Sequence, residues 1–123
     1  MCKKILVLDD DLAILDALGD MLEYSGYKVT TLSRGDRVLD VIHTYHPDLI
    51  LLDVMLADLD GREICKNIKQ DADKDVANIP VILISATHDL SKTLDQTGAP
   101  DDFVAKPFDM DNLLHKIEHQ LAA

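Results

Sequence analysis

Four apolar runs in this chain each stop at a side chain that phosphoryl chemistry can use. Ile5-Leu6-Val7-Leu8 leads into Asp9-Asp10-Asp11, and Leu49-Ile50-Leu51-Leu52 leads into Asp53. Val81-Ile82-Leu83-Ile84 leads into Ser85, and Phe103-Val104-Ala105 leads into Lys106-Pro107. Runs this short, continuously apolar and separated by helix-length stretches, fit strands of a parallel sheet buried on both faces. Ligands of an open α/β sheet bind beyond the carboxyl ends of its strands. The pattern therefore gathers carboxylates, a hydroxyl and an ammonium at one edge of one sheet.

Between these runs the period changes from strand to helix. Leu15, Leu18, Met21 and Leu22 recur at helical spacing, and Gly26 ends that helix. Lys28 to Leu32 reads as a second strand. Ser33 is the expected cap of the next helix, with Val38, Leu39 and Ile42 turned inward. Pro47 precedes the third strand, and Asp60-Gly61 opens a helix carrying Ile64, Cys65 and Ile68 on one face. The polar stretch Gln70 to Asn78 reads as a loop, and Pro80 starts the fourth strand. A short helix is expected over about Leu90 to Thr97, stopping at Gly98-Ala99-Pro100. Asp109 caps the last helix, striped by Met110, Leu113, Leu114, Ile117 and Leu121. Five βα units with right-handed crossovers give a doubly wound parallel α/β fold. The order expected for it is the flavodoxin-like one, a five-stranded parallel sheet of order 2-1-3-4-5 with five helices.

At 123 residues, the span 1–123 is expected to be one domain. Twelve basic against 23 acidic residues leave a formal net charge of −11. No clustered Lys or Arg is present to release counterions from a duplex, so direct nucleic-acid and anionic-membrane binding are not expected. No apolar stretch approaches the roughly 20 residues that span a bilayer. Met1-Cys2-Lys3-Lys4 leads straight into a strand, and a cytoplasmic location is expected. Cys2 and Cys65 match no metal or redox spacing.

The order 2-1-3-4-5 makes strands 1 and 3 neighbours at the switch point, bringing Asp9, Asp10 and Asp53 together. Two carboxylates about 5 Å apart repel by roughly 3 kcal/mol at an effective dielectric near 20. A hard divalent cation relieves that repulsion, and Mg²⁺ typically takes one or two carboxylates plus waters. Lys106 adds a further positive charge. The same set suits transfer of a phosphoryl group to an Asp nucleophile, with the metal and Lys facing the transferring oxygens. Ser85 is placed to hydrogen-bond one phosphoryl oxygen.

These residues match a family. Across essentially its whole length the chain resembles the receiver domain of two-component response regulators. The resemblance is carried by Ile5 to Asp11, Pro47 to Met55, Asp60-Gly61, Ile79 to Ala86 and Ala105-Lys106-Pro107-Phe108, in order and at compatible spacing. It implies that Asp53 is the phosphoacceptor and Asp10 the direct Mg²⁺ ligand, with Asp9 acting mainly through water. Met55 would give its backbone carbonyl to the metal, for which Mn²⁺ can substitute. Ser85 matches the switch hydroxyl, Lys106 the lysine that pairs with the phosphoryl group, and Phe103 the rotating aromatic, usually Tyr. Pro107 matches the residue that commonly follows a cis peptide bond.

The resemblance implies a signalling domain that assists its own phosphorylation and dephosphorylation rather than an enzyme. Its expected partners are a histidine kinase or phosphotransfer domain upstream, and a protein or fused output domain downstream. A phosphorylation-dependent dimer is also among them. The expected output face joins the helix over residues 90–97, the fifth strand and the last helix. Four departures stand out. Ala57 replaces the usual Pro, Phe103 lacks a hydroxyl, and Gly98 to Phe103 carries one extra residue. The segment from Ser85 to Phe103 is nevertheless slightly short, so its helix is expected to be cut down.

Two other functions fit part of the pattern. A haloacid-dehalogenase-like phosphatase would use Asp9 as nucleophile in Asp9-Asp10-Asp11, although Ala13 stands where Thr or Val is expected. A degenerate receiver would act only as a binding module. His115 and His119, at i, i+4, read as a solvated face. A calcium loop near Asp58 to Gly61 fails because Leu56 and Asn67 occupy its end ligand positions.

Overall fold

The computed structural model describes residues 3–54, 56, 60–85, 101–105 and 109–122. Its strands are β1 Lys4–Leu8, β2 Lys28–Leu32, β3 Leu49–Asp53, β4 Val81–Ser85 and β5 Asp102–Ala105. Its helices are α1 Leu12–Tyr24, α2 Val38–Tyr45, α3 Gly61–Lys69, the short α4 Lys74–Ala77 and α5 Met110–Ala122. All strand pairs are parallel, in the expected order β2-β1-β3-β4-β5.

The apolar runs are continuous because both faces of the central strands are covered. Side chains alternate along a strand, so Leu6, Leu8, Ile50, Leu52, Val81 and Leu83 meet α2 and α3. Ile5, Val7, Leu49, Leu51, Ile82 and Ile84 meet α1 and α5 on the other side. All four residues Leu49 to Leu52 are completely buried. Each such side chain contributes about 1.5–3 kcal/mol by leaving water. The edge strand β2 is only half-buried, which its Lys28-Val29-Thr30-Thr31-Leu32 composition anticipates.

Gly26 ends α1 as expected, and the reason is geometric. Its φ of +100° is a left-handed conformation that favours glycine. The N–H groups of Gly26 and Tyr27 then reach the carbonyls of Glu23 and Leu22, the paired bonds of a Schellman motif.

Two expectations are corrected. Ser33 does not cap α2. That helix begins at Val38 after Arg37, which makes no side-chain cap bond. Residues 33–37 offer no apolar side chain to bury, and the helix starts where its inward stripe starts. The stretch from Gln70 to Asn78 is not all loop. Asp73 accepts the Asp75 N–H at 2.9 Å and opens α4, whose Val76 is 1% exposed. One buried valine and one cap suffice for a single turn. The expected helix over Leu90 to Thr97 lies outside the described residues.

Candidate phosphoryl and metal site

β1 and β3 pair in register from Ile5 with Leu49 to Leu8 with Leu52. One step further along each strand come Asp9 and Asp53. Both are buried, at 0% and 2% exposure, while Asp10 is exposed. One carboxylate oxygen from each of Asp9, Asp10 and Asp53 lies within 4.8 Å of the others. At the roughly 2.1 Å Mg–O distance, oxygens on opposite sides of an octahedral ion are about 4.2 Å apart. The observed spread is close to that span, so the three acids are the residues that would hold such an ion. An all-oxygen, anionic set suits a hard cation.

The third acid of the run does something else. Asp11 is the N-cap of α1, its carboxylate accepting from the N–H groups of Ala13 and Ile14 at 3.0 and 3.4 Å. Asp9 in turn accepts the Asp11 N–H at 2.9 Å, and its own N–H donates to the Leu32 carbonyl at 3.1 Å. These bonds fix the loop that presents Asp9 and Asp10.

On the other flank, the Val54 N–H donates to the Ile84 carbonyl at 2.9 Å, tying the end of β3 to β4. Ser85 follows Ile84, fully buried at the end of β4, and pairs with Ala105. Phe103 lies two residues upstream, opposite Leu83, packed against the core on the α2 and α3 side. Met55, Lys106 and Pro107 lie outside the described residues.

Sequence inspection missed the role of Gly61. A Cβ there would lie 2.1 Å from the Asp53 carbonyl oxygen and 2.8 Å from the Val54 Cα. The Gly61 N–H donates to the Val54 carbonyl at 2.9 Å. α3 therefore starts in backbone contact with the residue bearing the central carboxylate. Asp60 caps α3 through the Arg62 N–H at 2.9 Å. Burial pushes the Asp60 carboxyl up, but hydrogen bonds and charge from Arg62 outweigh it and hold the group below the usual carboxylate range. The Asp60-Gly61 pair marked a helix start in the sequence; the close approach needed the fold.

The chain matches the family model for the response regulator receiver domain over residues 5–118. It is 42% identical over 109 residues to the alkaline phosphatase synthesis transcriptional regulatory protein PhoP of Bacillus subtilis, covering 88% of this chain and 44% of that protein. It is 34% identical over 115 residues to the response regulator MprA of Mycolicibacterium vanbaalenii, covering 93% of this chain and 48% of that protein. The chain thus spans about half the length of the curated relatives it matches. A CheY-like receiver domain protein from Methanospirillum hungatei superposes with a TM-score of 0.86 at 29% identity, covering 99% and 95% of the two chains. The receiver domain of a Francisella response regulator superposes with a TM-score of 0.85 at 30% identity, covering 98% and 97%.

Proposed function

This chain belongs to the family of response regulator receiver domains of two-component systems, and from that membership we propose that Asp53 is its phosphoacceptor. The observation that carries the proposal is the convergence of Asp9, Asp10 and Asp53 at the ends of adjacent strands. In the proposed step a carboxylate oxygen of Asp53 forms a bond to phosphorus. The bond from phosphorus to the imidazole nitrogen of a phosphohistidine breaks, and its electron pair returns to the imidazole. Asp9 and Asp10, with Asp53 and the Met55 carbonyl, would hold Mg²⁺ or Mn²⁺. Such an ion, when bound, supplies positive charge against the phosphoryl oxygens.

Ser85 would donate its hydroxyl to a phosphoryl oxygen, and Lys106 would pair with the same group. Phosphorylation would draw Ser85 and the Phe103 ring toward the site, the ring rotating as a two-state element biased by a local charge change. The donor would be a histidine kinase or phosphotransfer domain. The signal would leave by protein contact, to a separate partner, a fused output domain or a second copy. Residues 1–123 would act as one cytoplasmic receiver unit. Among the described residues no helix is long and apolar enough to cross a membrane.

The phosphatase alternative needs Asp11 as its second working carboxylate, and Asp11 is already committed to capping α1. Incubation with acetyl phosphate, with and without Mg²⁺, followed by intact-mass spectrometry separates the readings. We expect one added phosphoryl group in the wild type, none in Asp53→Asn, and none in EDTA. Uptake of the acyl phosphate by Asp53→Asn but not by Asp9→Asn would reverse the assignment. A wild-type protein that stays unmodified would leave only the binding-module alternative.

A further inference from the structure

We propose that Lys116 of α5 is a positioning residue for the Phe103 ring, weighting the ring position seen here over the one adopted on signalling. The inference rests on the proposed part of Phe103 as the moving aromatic. α5 is anchored by Leu113 and Ile117, both completely buried against the sheet. Lys116 precedes Ile117, and its side chain reaches β5, the last strand of the sheet. Its ammonium donates to the Phe103 carbonyl at 3.0 Å and to Asp102 Oδ1 at 3.1 Å. It also lies 5.6 Å from the centre of the Phe103 ring. Asp102 Oδ1 accepts the Phe103 N–H at 2.8 Å as well.

Residue 103 is thus held at its N–H, its carbonyl and its ring by two neighbouring side chains. The backbone bonds fix the strand, leaving rotation of the ring as the available motion. A phenylalanine has no hydroxyl to anchor either end of that motion. Packing on one side and a cation on the other must set its balance. The Lys116 side chain is 29% exposed, so its charge is neither freely solvated nor deeply buried. A cation over an aromatic ring in such a setting changes a conformational ratio by about two- to fivefold.

The test uses the whole chain labelled with 4-fluorophenylalanine. It has two phenylalanines, Phe103 and Phe108, and Phe108→Leu assigns the signals. Fluorine relaxation dispersion gives the populations of the Phe103 ring positions without a phosphoryl donor. Lys116→Gln keeps a donor for Asp102 and the Phe103 carbonyl but removes the charge, while Lys116→Arg keeps the charge. We expect Lys116→Gln to raise the minor ring population by about two- to fivefold and Lys116→Arg to match the wild type. Unchanged populations in Lys116→Gln, or an equal rise in both variants, would overturn the proposal. The comparison is made on unphosphorylated protein, so it decides the clamp whether or not Asp53 takes up a phosphoryl group.

Discussion

Replacing Gly61 with alanine tests whether α3 holds Asp53 in place. The new Cβ would sit 2.1 Å from the Asp53 carbonyl oxygen, 2.8 Å from the Val54 Cα and 2.9 Å from the Asp53 carbonyl carbon. All three are backbone atoms, so no rotamer change relieves the overlap. Restoring an ordinary contact near 3.4 Å needs about 1.3 Å of separation between α3 and the end of β3. Overpacking of this kind costs about 1–3 kcal/mol, more than the roughly 1 kcal/mol by which alanine favours a helix over glycine. The larger effect falls on chemistry. Displacing a reacting group by about 1 Å costs on the order of 10²-fold in rate. Gly61→Ala should therefore melt a few degrees lower and take phosphoryl groups from acetyl phosphate about a hundredfold more slowly, as followed by intact mass. Gly26→Ala is the control. Its Cβ meets nothing within 4 Å, but its φ of +100° is strained for alanine. It should lose stability and keep its phosphorylation rate in the folded range. Wild-type melting and rate in Gly61→Ala would refute the positioning argument, and equal rate losses in both variants would reduce it to general destabilisation.

Three further outcomes follow from other contacts. Burial pushes the Cys65 thiol from 9.0 up to about 11, with Asp101 adding to the rise and Lys69 opposing it. Between those values the unfolded chain has released a proton that the folded chain retains. Stability should thus fall by up to about 3 kcal/mol as pH rises from 9 to 11. Urea unfolding across that range should show a flatter profile for Cys65→Ala, and parallel profiles would contradict the assignment. Lys69, with a side chain 13% exposed, donates to the Ile79 carbonyl at 2.9 Å and pairs with Asp101, which also accepts the Val81 N–H at 2.8 Å. Lys69→Met should cost about 1–3 kcal/mol by leaving Asp101 poorly compensated, with Asp101→Asn recovering part of it; strict additivity in the double variant would count against the pair. In EDTA, Asp9→Asn should be more stable than the wild type. Carboxylates whose oxygens lie within 4.8 Å of one another repel by at least about 3 kcal/mol at an effective dielectric of 20. Mg²⁺ should raise the melting temperature of the wild type more than that of the variant, and an equal response would remove Asp9 from the metal site.

Much of the fold was legible because burial on both faces leaves a trace that needs no partner information. Ile5 to Leu8, Leu49 to Leu52 and Val81 to Ile84 could be neither amphipathic helices nor half-exposed strands, and three such runs dictate a covered parallel sheet. The misplacements came where two local signals competed. Ser33 is a good capping residue, but capping is worth about 1 kcal/mol. It does not extend a helix through Arg34-Gly35-Asp36, where nothing can be buried. Val76 made the opposite error possible. A lone apolar residue in Gln70 to Asn78 has no period to detect, yet full burial of its side chain is enough to wind one turn around it.

The site divides along the same line. Asp9 and Asp53 could be paired in advance because the apolar runs mark the strand ends, and the flavodoxin-like order 2-1-3-4-5 sets strands 1 and 3 side by side. The division of labour among Asp9, Asp10 and Asp11 could not, since composition is the same at all three and only their surroundings differ. Asp9 is buried against β3, Asp10 faces solvent, and Asp11 turns back onto the first amides of α1. Gly61 and Lys116 were further from reach. Each acts on a residue in another element, Gly61 through an absent side chain and Lys116 through one that crosses from α5 to β5. Periodicity reports which face a residue presents to the core. It carries no information about which backbone will lie against that face, and both of these residues derive their effect from that approach.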